Sequence, residues 1–352
     1  MKIMNKIIAL TDYKNNFGSK YKAQPYRSGF DKELIKTNFN KRGYEVEFIR
    51  MKEVDFNDDW KNKIVIYTSS EEIGLNYKSF IEDVVFGLER AGAFIIPRYD
   101  LLRANSNKVY MEILRERLLG EKVSGNKSLL YGTLEELIID IKREKIKYPC
   151  VIKASAGAMS RGVFLANNNN ELEKSARKLS RSPHYISELK DILRSKKHNG
   201  YQMVSKYQNK FIIQKFIPEL KNDWKVLVYG NRYYVLNRGI KQNDFRASGS
   251  HYNYRAGSKS GITELMLDSI KVIFEKLDVP HLSLDFAFDG KSNIIHEFQA
   301  IYFGTSTIDF SDDLFVFENG RWEIQKKKLN LEEEYVWGVV KYLEKHPELL
   351  SL

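Results

Sequence analysis

The N-terminal part of the chain alternates short apolar runs with helical periodicity, and that alternation leaves few folds open. Lys6–Leu10, Val46–Ile49, Ile64–Tyr67 and Ala93–Ile96 read as strands. Phe30–Lys41 and Tyr77–Arg90 read as helices between them; Leu34, Ile35 and Phe39 fall on one side of the first, which Gly43 ends. Strands alternating with helices make a parallel sheet covered on both faces. A first domain of this kind is expected over residues 1–104. In such sheets ligands gather beyond the carboxyl ends of the strands. There the loop Thr11–Gly29 carries Lys20, Lys22 and Arg27 among Tyr21, Tyr26 and Ser28. Lys20, Tyr26 and Arg27 are therefore candidate contacts for an anionic substrate. A basic surface loop in a lysine-rich chain is the competing reading.

Beyond it, Asn105-Ser106-Asn107 offers caps for a helix Lys108–Leu119, and Thr133-Leu134-Glu135-Glu136 is a capping box opening another. The stretch Tyr148–Val163 begins as an apolar strand ending in Lys153. It continues as a loop of small residues with Gly157 and Gly162, then enters a second strand. Small residues let a ligand approach the backbone, successive N–H groups can cradle an anion, and Lys153 adds a point charge. A phosphate site and a plain strand–hairpin–strand both fit. The P-loop does not, because Val163-Phe164 stands where Lys-Ser/Thr is needed, and the dinucleotide fingerprint G-x-G-x-x-G is absent.

The formal charge of +11 favours an anionic partner: a nucleotide, an acidic metabolite or nucleic acid. No zinc pattern, RNP sequence or recognition helix accompanies it, so nucleic acid is not expected. The single cysteine, Cys150, excludes an intrachain disulfide framework and a cysteine metal cluster. No apolar run reaches the roughly 18 residues that a membrane span needs. Ile7–Leu10 is too short for a signal-peptide core, so a cytoplasmic protein is expected. The basic stretch Asn167–Lys210 reads as helices with a solvated surface.

Phe211–Ile217 reads as a buried strand stopped by Pro218, and Gly230-Asn231 as a tight turn between Trp224–Tyr229 and Tyr233–Leu236. Ile262–Leu277 and Leu331–Glu344 read as helices. Ser283–Phe288 and Ile294–Gln299 form a hairpin around Asp289–Asn293. A loop of that length sets Asp285 opposite Glu297 and Ser283 opposite Gln299. Leu284, Phe286, Phe288, Ile294 and Phe298 then share the core face. Opposed carboxylates repel one another, and a magnesium ion between them turns repulsion into ligation. A solvated acidic pair is the alternative. His296 is out of phase with the carboxylates and is expected to pack against Phe286.

In this order the motifs resemble those of the ATP-grasp superfamily, the ligases that include D-alanine–D-alanine ligase, glutathione synthetase and the ribosomal-protein glutamate ligase. The resemblance runs from about Asn105 to Gln299. It implies an α/β chain with an N-terminal parallel-sheet pre-ATP-grasp domain (1–104). A two-lobed α+β ATP-grasp domain (105–326) follows, with a lid lobe at about 130–213, and then a C-terminal helix (327–352) packed on it. Lys108 and Lys153 look like the nucleotide lysines, and Ser155, Gly157, Ser160 and Gly162 like the loop over the phosphates. Gln214, Lys215, Phe216 and Ile217 would surround adenine, and Asp223 would meet the ribose. Arg246 would act with Lys153 on the transferred phosphoryl group, with Ser250 beside the substrate. Asp285, Glu297 and Gln299 match the ligands of Mg²⁺ or Mn²⁺, with Gln299 where asparagine is usual and the following glycine displaced to Gly304.

The chemistry implied is that of an ATP-dependent ligase forming a C–N bond through an acyl phosphate. Its substrates would be a small or peptide-like anionic carboxylate and an amine acceptor. A small-molecule kinase and a non-catalytic nucleotide-binding module are the other readings; an arginine at the transfer point argues against the module. A homo-oligomer is left open.

Overall fold

The computed structural model describes residues 5–120, 127–157, 162–218, 220–242, 244–246, 251–290, 293–328 and 330–350. Strands β1 (Asn5–Thr11), β2 (Tyr44–Arg50), β3 (Ile64–Tyr67) and β4 (Phe94–Ile96) form a parallel sheet in the order β2-β1-β3-β4. Helices cover both faces, as the alternation requires. Ile7 and Ala9 pack with Ile35 and Phe39 of the helix Lys32–Asn40. Ile8 and Leu10, pointing the other way, pack with Ile81, Val85 and Leu88 of the helix Asn76–Arg90.

Strands β5 (Leu129–Tyr131), β6 (Cys150–Ala154), β7 (Val163–Ala166) and β8 (Phe211–Lys215) make a small antiparallel sheet in the order β5-β8-β6-β7. Its core joins Cys150, Ile152, Phe211 and Ile213 to the helices Leu134–Lys142 and Asn169–Ser180. Thr133 and Glu136 form the expected capping box on the first of these helices. Strand alternation turns Lys153 and Gln214 to the face away from those helices.

The large sheet is built from β9 (Asn222–Tyr229), β10 (Arg232–Gly239), β11 (Arg255–Ala256), β12 (His281–Phe288), β13 (Asn293–Gln299), β14 (Asp313–Glu318) and β15 (Arg321–Lys326). Its order is β13-β12-β9-β10-β14-β15, with β11 beside β10. Gly230 adopts φ of 61° at the first turn position, where glycine suits the tight hairpin, and Tyr229 pairs with Arg232. Val226, Val228, Leu284 and Phe286 pack on the helices Lys108–Leu119 and Glu264–Leu277. On the opposite face Leu227, Tyr229 and Tyr234 join the first domain's core. The C-terminal helix Leu331–Lys345 does more than cover this sheet: Tyr335, Val339 and Leu343 share one core with Ile35 and Phe39 as well.

The Asp285–Glu297 pairing is present, reached by a different route from the one the sequence suggests. Phe288 pairs with Asn293, so the turn is a residue shorter than expected. A bulge between Asp285 and Phe286 then restores the register, placing Phe286 opposite Ile295 and leaving His296 as the extra residue. Ile295, in place of Ile294, therefore joins Phe286 in the core. Strand β8 ends at Lys215, earlier than expected, although the Phe216 N–H still donates to the Pro149 carbonyl at 3.3 Å. No helix among the described residues is long and apolar enough to cross a membrane.

Gly338 sits where the C-terminal helix crosses Pro280. A Cβ there would lie 2.6 Å from the Pro280 carbonyl oxygen. Glycine to alanine inside a helix normally stabilises by about 1 kcal/mol. Forcing a methyl onto backbone costs about 1–3 kcal/mol. Gly338→Ala is predicted to lower unfolding free energy in a denaturant titration, the reverse of the propensity effect.

Candidate functional site

The candidate face is the polar half of the large sheet, beyond Leu227. Asp223 and Lys225 alternate with the buried Trp224 and Val226 on β9, so both point to this face. The hairpin register sets Arg238 opposite Asp223, and β12 places Asp285 opposite Lys225. Arg238 Nε and Nη2 donate to the two Asp223 oxygens at 2.7 and 2.8 Å, and Nη2 also to Asp285 Oδ2 at 2.9 Å. Lys225 Nζ donates to Ser283 Oγ at 2.7 Å and reaches Asp285 Oδ1 at 3.4 Å. Burial disfavours ionised Asp285, but Arg238 and Lys225 outweigh it and hold its pKa well below the usual carboxylate range. Along the facing strand β13, Gln299 Nε2 lies 3.4 Å from Glu297 Oε1. Asp285, Glu297 and Gln299 are thus brought together, with oxygen donors on one face.

Lys108 ties this face to the small sheet. Its Nζ lies 3.5 Å from Glu297 Oε2 and donates to the Gly157 carbonyl at 3.3 Å. Its backbone N–H donates to the Ser155 carbonyl at 2.8 Å. Lys153 belongs to the same cluster. Burial, and then the neighbouring Lys108 ammonium, bring its pKa down to about 8, while Glu112 and Glu297 oppose the shift. His296, expected against Phe286, instead feels Lys153 and Asp285. Burial first and the Lys153 charge second bring its pKa down to about 3, so its ring is neutral. The bulge is what re-aims it. From the first domain, Glu71 accepts from Ser106 Oγ at 3.3 Å and lies in the field of Glu297, Lys108 and Lys225.

Several expected ligands are committed to protein partners. Asp223, expected at the ribose, gives both oxygens to Arg238 and is buried. Gln214, expected at adenine, donates its amide to Glu112 and Ser128 at 3.3 and 3.0 Å. Lys215 is exposed, Ile217 is half-buried, and Phe216 meets Phe245 edge to face at 6.3 Å. Arg246 is not gathered with the carboxylates: it pairs with Asp244 at 2.9 Å and lies over Phe245. Lys20 pairs with the fully buried Glu332 at 2.6 Å and so anchors the C-terminal helix. Tyr26 and Arg27 are exposed, with the guanidinium over the ring. Gly157 and Gly162 adopt positive φ, and Ser155 is buried against Asn107. Ser160 and Ser250 lie outside the described residues.

Arg238, Lys225 and Glu71 were not singled out in the sequence. For Arg238 a signal existed: the Gly230-Asn231 turn fixes a register that puts it opposite Asp223. Among the described residues no group of three or more His, Cys, Asp or Glu is gathered as a metal site. The set at hand is two carboxylates and an amide.

No protein-family model matches the sequence, and no curated protein matches it. Among solved structures, the D-cycloserine synthetase DcsG matches with 10% identity over 96% of this chain and 99% of that one, at a TM-score of 0.53. The ATP-grasp ligase PsnB, complexed with a phosphomimetic variant of its minimal precursor, Mg and ADP, matches with 10% identity over 96% and 99%, at 0.52. Likeness at such identity speaks for the fold, and the fold is that of the ATP-grasp proteins.

Lys153 offers a direct check on the site's electrostatics. In a protein with isotopically methylated lysines, one resonance should titrate near pH 8, about two units below an ordinary lysine. That resonance should vanish in Lys153→Met. A Lys153 signal titrating at the ordinary value would show that the buried cationic cluster is not formed.

Proposed function

We propose that this protein, on its ATP-grasp fold, is an ATP-dependent ligase that joins a carboxylate to an amine through an acyl phosphate. The observation that carries the proposal is the opposed pair Asp285 and Glu297, with Lys108 and Lys153 at its edge. Their donor set fits magnesium or manganese. It is all oxygen, the type these hard cations take, and like charges set side by side favour a cation between them. Asp285, Glu297 and Gln299 would hold the metal. Once bound, it would neutralise charge on the ATP phosphates. The fold likeness to PsnB, whose structure holds Mg and ADP, supports the same pairing of ligands here.

The chain's own groups supply the rest. Lys108 and Lys153 would grip the phosphates, and the backbone around Ser155, Gly157, Ser160 and Gly162 would cradle them. Lys215, Phe216 and Ile217 would flank the base at the end of β8; Gln214 braces that strand through Glu112 and Ser128. A carboxylate oxygen of the substrate attacks the γ-phosphorus, and the bond to the bridging oxygen breaks, releasing ADP. The amine nitrogen then attacks the acyl carbon. The C–O bond to phosphate breaks, the nitrogen loses a proton, and amide and phosphate leave. Arg238 holds Asp285 ionised throughout. Arg246 would meet the transferred phosphoryl group, exchanging its Asp244 partner for it, and Tyr26 and Arg27 would receive the anionic substrate at the rim.

The direct test is incubation with ATP, Mg²⁺ and pooled carboxylates in the presence of hydroxylamine. ADP release with hydroxamate formation is expected. ADP release with a phosphorylated alcohol and no hydroxamate would establish the kinase reading in its place. Asp285→Asn and Glu297→Gln should each abolish turnover, and the first should also lower the unfolding temperature, because it removes a charge paired with Arg238 and Lys225.

Arg246→Ala should separate chemistry from binding. A charge donor to the transferred group is worth about 10²–10³ in kcat. The variant should lose kcat on that scale with ATP affinity nearly unchanged. An unaltered kcat would leave Arg246 as the exposed partner of Asp244 alone.

A further inference from the structure

A cavity of about 540 Å³ opens between the first domain and the small-sheet lobe. Lys78, Glu82 and Arg103 line it from one side, and Asn107, Ser155 and Lys210 from the other. Lys153, Asp285 and Glu297 are not among its lining residues. It shares Ala154, Ser155 and Ala156 with the loop near the carboxylates.

Charge in this cavity is unbalanced. Lys78 and Glu82 are 3% and 6% exposed and form an ion pair. Arg103 Nη1 uses the other oxygen of the same carboxylate, Glu82 Oε2, at 2.8 Å. Lys210 Nζ meets the neutral Asn107 Oδ1 at 3.0 Å. Two cations thus share one carboxylate, and the third, Lys210, meets a neutral amide oxygen. Burial lowers the pKa of Lys210, with Arg103 and Lys78 adding repulsion and Glu82 opposing; burial lowers that of Lys78 as well. Crowded, partly desolvated cations cost free energy unless a counter-charge arrives. The volume lies within the roughly 300–1,000 Å³ range of small-molecule sites, more room than a simple ion fills. Ser155, Asn107 and the neighbouring Gln208 and Asn209 add neutral hydrogen-bonding groups around it.

We propose that this cavity binds a small organic oxyanion through Arg103, Lys210 and Lys78, bridging the first domain and the lid lobe. The shared chemistry is a multivalent phosphate or carboxylate head. The inference does not rest on the reaction proposed above.

Calorimetric titration with phosphoglycerate, which carries both head groups, tests it, with glycerol phosphate and malate as separate arms for the two. Each titration is run with and without excess Mg²⁺–ADP, which occupies a nucleotide site. Saturable binding that survives Mg²⁺–ADP is expected, and the better of the two arms identifies the head group. Arg103→Gln and Lys210→Gln should each weaken it about tenfold or more, the scale of one charge-assisted hydrogen bond. Circular dichroism confirms that each variant is folded; if one fails, the other suffices. Absence of saturable binding by all three probes would overturn the proposal. So would binding that Mg²⁺–ADP abolishes, or that persists at full strength in both folded variants.

Discussion

Arg238 is the residue on which the functional face depends. It sits on β10 and bonds carboxylates of β9 and β12, so one guanidinium ties three strands together. Removing such an ion from water costs several kcal/mol, and attraction offsets that only where the geometry is good and every donor is used. The geometry is good: through Nε and Nη2 the planar fork meets Asp223 with two parallel bonds and still reaches Asp285. A lysine, as a point charge, would not hold both. Asp285 therefore faces Glu297 as a fixed, ionised group, and its pKa follows from Arg238 and Lys225 outweighing burial.

The same sheet face does two jobs along its length. Toward one end of β9, Leu227 and Tyr229 are buried with Tyr234 and Phe303 against the first domain and the C-terminal helix. Toward the other end it carries Lys225, Asp223 and the carboxylates. The apolar half fixes how the first domain stands over the polar half, which is how Glu71 reaches the field of Glu297 and Lys108. Lys20 on Glu332 and the Tyr21 N–H on Thr305 secure the loop after β1 to the same platform. The small antiparallel sheet packs differently: its apolar core is its own, and its links to the helix Lys108–Leu119 include the polar group Glu112, Ser128 and Gln214.

Local pattern determined a good deal. The βα alternation, the caps at Asn107 and Thr133, the Gly230-Asn231 turn and the strand carrying Lys153 follow from periodicity and from residues whose backbone preferences act within a few positions. The pairing of Asp285 with Glu297 was legible too, although by two offsetting differences, a shorter turn and a bulge. Nothing in the alternation of β13 announces that bulge, since one extra residue leaves its composition unchanged; only the partner strand forces it, and with it the aim of His296.

What tertiary structure alone decided is which charged groups meet. Lys20 and Glu332 are separated by most of the chain, and Gln214 finds Glu112 across two lobes. Asp223 looked like a ligand in its own segment, yet the facing strand supplies an arginine that takes both its oxygens. Sequence pattern sets which face a side chain occupies, because strand and helix periods are local. It does not set the partner, because a buried charge is satisfied by whichever opposite charge the fold carries to it, and that choice is made over distances that periodicity does not encode.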